Sequence, residues 1–90
     1  MNPTMDMIDQ ELTRLRNRMS ELQLRIIPDF ENRTQLLYEL IMPLRKDSKE
    51  REKLEAEYHL LSKELRLRSD EIIDIRQQIE NLESQKTMRR

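Results

Sequence analysis

Histidine, cysteine and clustered carboxylates are the side chains that most often bind metals or transfer protons in proteins. This sequence contains one histidine, His59, no cysteine and no glycine, and its 18 aspartates and glutamates are spread along the chain. One histidine without cysteine cannot complete a zinc site, the carboxylates lack the spacing of an EF-hand, and a phosphate-binding loop needs glycine. We therefore expect no metal, no cofactor and no catalytic activity.

Arginine is the other residue type with chemical potential, because it binds the phosphates of nucleic acids. Four arginines lie close together in the first half of the chain: Arg14, Arg16, Arg18 and Arg25. They alternate with regularly spaced apolar residues and lack the dense basic composition of a DNA-reading helix. The formal net charge of −1 gives no attraction to nucleic acid or to an acidic membrane surface. We expect neither as a partner.

Targeting signals are not evident in the sequence. No apolar run approaches the roughly 20 residues that cross a bilayer, and residues 1–10 lack the basic-then-apolar order of a signal peptide. The absence of cysteine fits a reducing compartment. We expect a soluble, intracellular protein of the cytoplasm. Because the apolar spacing fades only near the C-terminus, the chain also suits a fragment of something longer.

The composition predicts helices. Charged residues make up 39% of the chain and the mean hydropathy is −0.93, so its 90 residues form a single module, residues 1–90, without a thick core. Tight turns between strands are unfavourable without glycine. The apolar residues recur at alternating spacings of three and four, as do positions a and d of the heptad abcdefg that line a helix–helix seam. We predict an all-α coiled coil.

The clearest stripe of a and d positions lies in the second half of the chain. Its apolar members are Leu54, Tyr58, Leu61, Leu65, Ile72, Ile75, Ile79 and Leu82. Arg68 occupies a d position within it. Either the Arg68 stem lies along the seam while its guanidinium reaches Glu64 or Glu71, or its buried charge fixes the register. Such a stripe is buried only against another helix, so it needs a partner.

A second stripe occupies the first half. Its members are Ile8, Leu12, Leu15, Met19, Leu22, Ile26, Phe30, Leu37 and Ile41. Spacing alone continues this stripe to Leu40, whereas pairing with the later stripe selects Ile41. Pro28 interrupts it, and the step from Ile26 to Phe30 is four residues where three are due. We predict a helix over residues 5–42, kinked at Pro28, with Thr4 as N-cap and residues 1–3 frayed.

A turn is predicted at residues 43–47. Pro43 begins it, and no apolar residue separates Leu44 from Leu54. Asp47 and Glu50 have the spacing of a capping box, in which the cap side chain accepts a backbone hydrogen bond three residues later. We therefore expect Asp47 to cap a second helix over residues 48–88.

Two architectures fit these stripes. The favoured one is an antiparallel helical hairpin that dimerises, and the alternative is an elongated parallel two-stranded coiled-coil dimer. Proline in a helix interior costs roughly 3 kcal/mol, which counts against the continuous rod. Surface charge favours the rod slightly, because the hairpin is expected to bring like charges together, Arg16 near Arg76 and Asp9 near Glu83.

Some apolar residues lie outside both stripes. Those that could form a second interface are Leu36, Met42, Leu60, Leu67 and Ile73. If another helix packs there, two hairpins form a four-helix bundle. The alternative is that single exposed leucines are common and need no explanation.

The function predicted from these features is a non-catalytic coiled-coil module for oligomerisation and protein interaction. It would act as a structural or scaffold element of a larger assembly, such as the cytoskeleton, as a homodimer that can also bind another helical protein. The alternative is a monomeric helical-hairpin regulatory module whose apolar tip, residues 36–44, binds a small GTPase, a motor or another protein partner.

Overall fold

The computed structural model describes residues 5–88, and all regular structure within that range is helical. Helix α1 spans Met5–Glu21, a π-helical turn spans Leu22–Ile26, α2 spans Ile27–Ile41 and α3 spans Lys49–Met88. The predicted all-α class is confirmed. The molecule is elongated, with extents of 65 × 18 × 16 Å. The predicted fraying of residues 1–3 and the Thr4 cap lie outside the described residues.

The irregularity predicted at Pro28 lies one turn earlier in the chain. The backbone N–H of Ile27 donates to the carbonyl of Leu22, five residues before it, which is the hydrogen bond of a π turn. Pro28 lies two residues beyond the π turn, near the start of α2. The helix continues through this point, because Ile26 and Ile27 both keep α-helical backbone angles. A π turn holds one residue more than an α turn. It therefore absorbs the extra residue between Ile26 and Phe30 without ending the helix.

The turn between α2 and α3 differs from the prediction in its capping residue. Asp47 was expected to be the cap, but the side-chain oxygen of Ser48 accepts the backbone N–H of Arg51 at 3.0 Å, and α3 begins at Lys49. Serine and aspartate cap equally well, so the sequence left a one-residue choice. Helix α2 ends at Ile41, one residue before the predicted bound.

Helix α3 packs along α1, the π turn and α2. Leu15, Leu22 and Ile75 form the buried centre of this packing. Partly buried residues surround it: Met19, Ile26, Ile72, Ile79 and Leu82. Leucine and isoleucine at three- and four-residue spacings give each helix one apolar stripe, and burying the stripes together removes them from water. Arrangement as an antiparallel coiled-coil hairpin, and its dimerisation, stay predictions.

Candidate helix–helix interface

Every residue predicted for the seam is buried or partly buried. The most buried are Ile8, Leu12, Leu15, Leu22, Ile41 and Ile75, each at most 6% exposed. The remaining members are partly buried: Met19, Ile26, Phe30, Leu37, Leu54, Tyr58, Leu61, Leu65, Ile72, Ile79 and Leu82. Near the end of α2, Ile41 is 6% exposed whereas Leu40 is 58% exposed. Extending the stripe by spacing alone to Leu40 is therefore wrong.

Ion pairs join α1 to α3 along the edges of this packing. Lys86 lies 2.5 Å from Asp9, and Arg16 lies 2.5 Å from Glu83. Both acidic groups meet a cation. The hairpin was expected to set Arg16 near Arg76 and Asp9 near Glu83, and neither of these two ion pairs was predicted. Long arginine and lysine side chains reach partners several residues away, which a comparison of nearest positions does not capture.

Arg18 and Glu71 form the most enclosed of these ion pairs. The Arg18 Nε donates to Glu71 Oε2 at 2.7 Å, and Nη2 donates to Oε1 at 3.4 Å. This hydrogen bond from Arg18, with a second from Arg68, holds the pKa of Glu71 below its ordinary value against the opposing effect of burial. The same bond raises the pKa of Arg18. Each partner thus stabilises the charged form of the other.

Arg68, the polar residue of the predicted seam, is partly buried and forms two ion pairs on its own helix. Its Nη1 donates to Glu71 at 3.0 Å and its Nη2 to Glu64 at 3.3 Å. The guanidinium thus lies against carboxylates while its stem occupies the d position. A charge so satisfied costs little to keep at the edge of an apolar seam.

An aromatic cluster lies at the end of the molecule that carries the turn. The rings of Tyr38 and Tyr58 are 6.4 Å apart, and the ring of His59 meets Tyr58 edge-on at 5.8 Å. With Met42 and Ile41 they line a shallow, mostly apolar cavity of about 200 Å³. His59 itself is exposed.

Hydrogen bonds from Arg51 link the aromatic cluster to the turn. Its Nη1 donates to the carbonyl of Leu44 at 2.7 Å, and its Nε donates to Glu55 at 2.6 Å. The side chain is only 19% exposed. This role of Arg51 was not predicted, although the heptad register places Arg51 at a seam position, one heptad before Tyr58.

All residues predicted for a second interface are exposed. The exposed fractions are 60% for Leu36, 56% for Met42, 65% for Leu60, 46% for Leu67 and 63% for Ile73. Packing between the helices of one chain therefore leaves these side chains in water. Exposed apolar side chains are common when they are scattered, and they mark an association site only when they form one contiguous patch.

Neither a metal-binding cluster nor a membrane-spanning helix is found in the described part of the chain. Across residues 5–88, no group of three or more histidines, cysteines and carboxylates could hold a metal ion. Within the same range, no helix has the length and apolar character to cross a membrane. No protein-family model, curated protein or solved structure matches the chain.

Proposed function

We propose that this chain is an antiparallel coiled-coil hairpin that associates with a second copy and serves as a non-catalytic structural element of a larger protein assembly. One arm is α1 with α2 and the other is α3. The single observation that carries the proposal is that the exposed leucines recur at heptad positions after each chain has buried its own seam. The assembly would be intracellular, in the cytoplasm, for example at the cytoskeleton.

The order of the ion pairs supports the antiparallel hairpin. As the α1 partner moves from Asp9 to Arg18, the α3 partner moves back from Lys86 to Glu71. Equal arms also fit this topology, because α1 to α2 spans residues 5–41 and α3 spans residues 49–88. The turn between them is held by Arg51.

Heptad positions support the coiled coil. In an antiparallel pair of helices, position e lies beside e and position g beside g. Arg16 and Glu83 both occupy e, Arg18 and Glu71 both occupy g, and both pairs are ion pairs. Knobs-into-holes packing of 3.5-residue repeats produces this combination of an apolar seam with e–e and g–g pairs along its two flanks. The ion pairs then fix the axial alignment of the two helices.

A distance measurement within one chain tests the topology. Nitroxide labels on cysteines replacing Ser20 and Gln77 would be separated by 57 residues, or roughly 85 Å, along one continuous helix. In a hairpin they lie on neighbouring helices, below about 30 Å. Dilution with unlabelled chain isolates the distance within one molecule. A long distance in the diluted sample would exclude the hairpin and favour the parallel rod.

The aromatic cavity supports a second candidate function. Tyr38 and Met42 are 47% and 56% exposed beside an apolar cavity at the tip. A monomeric hairpin could receive an apolar side chain of a small GTPase, a motor or another protein there, as a regulatory module. Light scattering across a dilution series separates the candidates. A mass that stays at the 11.1 kDa of one chain at high concentration would favour the monomeric module.

A further inference from the structure

Four exposed leucines share one flank of the proposed hairpin. Position c is occupied by Leu36, Leu60 and Leu67, and position g by Leu40. The g positions of α1 and α3 lie on the same flank, because Arg18 and Glu71 are hydrogen-bonded to each other. Since c lies next to g on a helix surface, all four leucines project to that flank. We call it the c/g face.

The opposite flank has a different character. It carries the e and b positions, and the aromatic cavity with Tyr38, Met42, Glu55 and His59 lies there. Ile73, at a b position, belongs to it as well. Leucines at heptad-related positions are therefore a property of the c/g face, and each of the four is between 46% and 65% exposed.

The two long edges of the c/g face, one on α1 and one on α3, carry different charged residues. Beyond the leucines, α1 and α3 border an open groove of about 560 Å³. Arg14 and Arg18 line it on the α1 side, whereas Glu71 and Asp74 line it on the α3 side. Glu21 is an acidic exception on the α1 side. Arg18 already pairs with Glu71 of its own chain, so the α1 side of the groove has no free excess of basic charge. The α3 edge of the c/g face stays acidic, with Glu57, Glu64 and Asp74. A copy turned by 180° about the long axis sets this acidic edge against α1 and α2 rather than against a second acidic edge.

We propose that a second copy of this chain covers the c/g face through a two-fold axis parallel to the long axis of the hairpin. This inference rests on the proposed function and specifies its interface. Each copy then lays α1 and α2 on α3 of the other, which gives a four-helix bundle in which neighbouring helices are antiparallel. Leu36 packs against Leu60 of the partner subunit, and Arg33 lies level with Glu64 of the partner subunit.

A two-fold axis perpendicular to the long axis fits less well. If this axis crosses the molecule at the height of Leu36 and Leu60, α3 packs on α3 of the partner subunit. Glu57 then lies against Glu64 of the partner subunit, which is a like-charge contact. It also offsets the copies, because the leucines lie in the half of the molecule nearest the turn. The parallel axis uses the whole face. The molecule is 65 Å long and 18 Å wide, so a contact along about two thirds of its length is needed to reach the roughly 800 Å² that each partner of a standard interface buries.

Paired substitutions test the interface in the full chain. Leu60→Lys places a charge on the c/g face, and Ile73→Lys makes a matched change on the opposite flank, where the native side chain is exposed to nearly the same extent. Sedimentation equilibrium gives the dissociation constant, and circular dichroism reports helix content. We expect Leu60→Lys to weaken the dimer by at least about 100-fold, since each dimer carries the buried charge twice. Ile73→Lys should leave the dissociation constant and the helix content unchanged.

The outcomes separate this inference from the function on which it rests. A wild-type chain that stays monomeric overturns both. A wild-type dimer that is weakened by Ile73→Lys and not by Leu60→Lys overturns only the c/g face and leaves self-association intact. Retained helix content in the Leu60→Lys monomer supports the proposal, because the seam within each chain is then independent of the interface.

Disulfide formation tests the orientation. The chain has no cysteine of its own, so one chain with Leu36→Cys and a differently tagged chain with Leu60→Cys can be mixed and oxidised. The parallel axis predicts the mixed disulfide as the main product. The perpendicular axis predicts disulfides between two copies of the Leu36→Cys chain, and that product would overturn the proposed orientation.

Discussion

Arg18 of α1 and Glu71 of α3 are 53 positions apart in the chain and share two hydrogen bonds, of 2.7 Å and 3.4 Å. Arg68 joins the same carboxylate from the next turn of α3 at 3.0 Å. Glu71 thus receives two guanidinium groups beside the buried Ile75. When the Glu71 carboxylate is ionised, it strengthens the contact between α1 and α3 at the centre of the apolar seam.

The pKa of Glu71 is lowered from its ordinary value of 4.5, which predicts a pH dependence of stability. A carboxylate with a lowered pKa in the folded state stabilises the fold above its unfolded pKa, and this stabilisation is lost as pH falls through the folded value. Glu71→Gln should therefore destabilise the protein at pH 7, by roughly 1 kcal/mol or less for so accessible a pair. Urea unfolding at several pH values measures it.

The difference in stability between wild type and Glu71→Gln should shrink as pH falls below about 4.5, where the wild-type carboxyl also becomes neutral. Glu80→Gln is the matched control, because Glu80 is exposed on the same helix. A difference at pH 7 that persists unchanged at pH 2.5 would mean that Glu71 acts through its shape rather than its charge.

Two isoleucines of α3 give a direct test of the seam. Ile75 is 4% exposed and Ile73 is 63% exposed, although they are two residues apart on one helix. Ile75→Ala should cost about 2–5 kcal/mol, because it removes buried methyl and methylene groups and leaves a cavity. Ile73→Ala should change the free energy of unfolding by less than about 0.5 kcal/mol at equal protein concentration. Similar losses from both would mean that the stripe is not the buried surface.

The periodic features of this fold were predictable from sequence, whereas those that depend on one residue or one rotamer were not. Burial follows a repeat of 3.5 residues, so the seam positions could be inferred without knowledge of the partner. The residue that caps α3 is Ser48 rather than the predicted Asp47, because several residue types cap a helix equally well. The ion pair of Arg16 with Glu83 was not predicted, because a long side chain selects among carboxylates on several turns.

The cap of α3 can be tested by substitution. Ser48 accepts the N–H of Arg51 at 3.0 Å, and removal of a serine cap typically costs about 1 kcal/mol because a backbone donor loses its partner. Ser48→Ala should therefore lower the free energy of unfolding by that amount. Asp47→Ala, at the exposed neighbouring position, should change it by less than about 0.5 kcal/mol. The reverse order in urea unfolding would restore Asp47 as the cap.

The π turn at Leu22–Ile26 accounts for the skip in the heptad register. Ile26 and Phe30 are both partly buried although they are four residues apart where three were due. A turn closed by a hydrogen bond from Ile27 to Leu22 spans five residues instead of four. The helices before and after it therefore keep their apolar stripes on the same side, facing α3.

Deleting one residue tests whether the π turn holds the extra residue of the heptad register. Removing Asp29, which is exposed in α2, restores the three-residue step and lets the π turn become α-helical. The melting temperature should then stay within a few degrees of the wild type or rise. Removing Asp70, an exposed aspartate in the middle of α3, rotates half of that helix by about 100° relative to the other half. Several seam residues then face solvent. The melting temperature, measured by circular dichroism, should therefore fall by at least roughly 10 °C. Equal losses from the two deletions would show that the π turn does not hold the extra residue of the register.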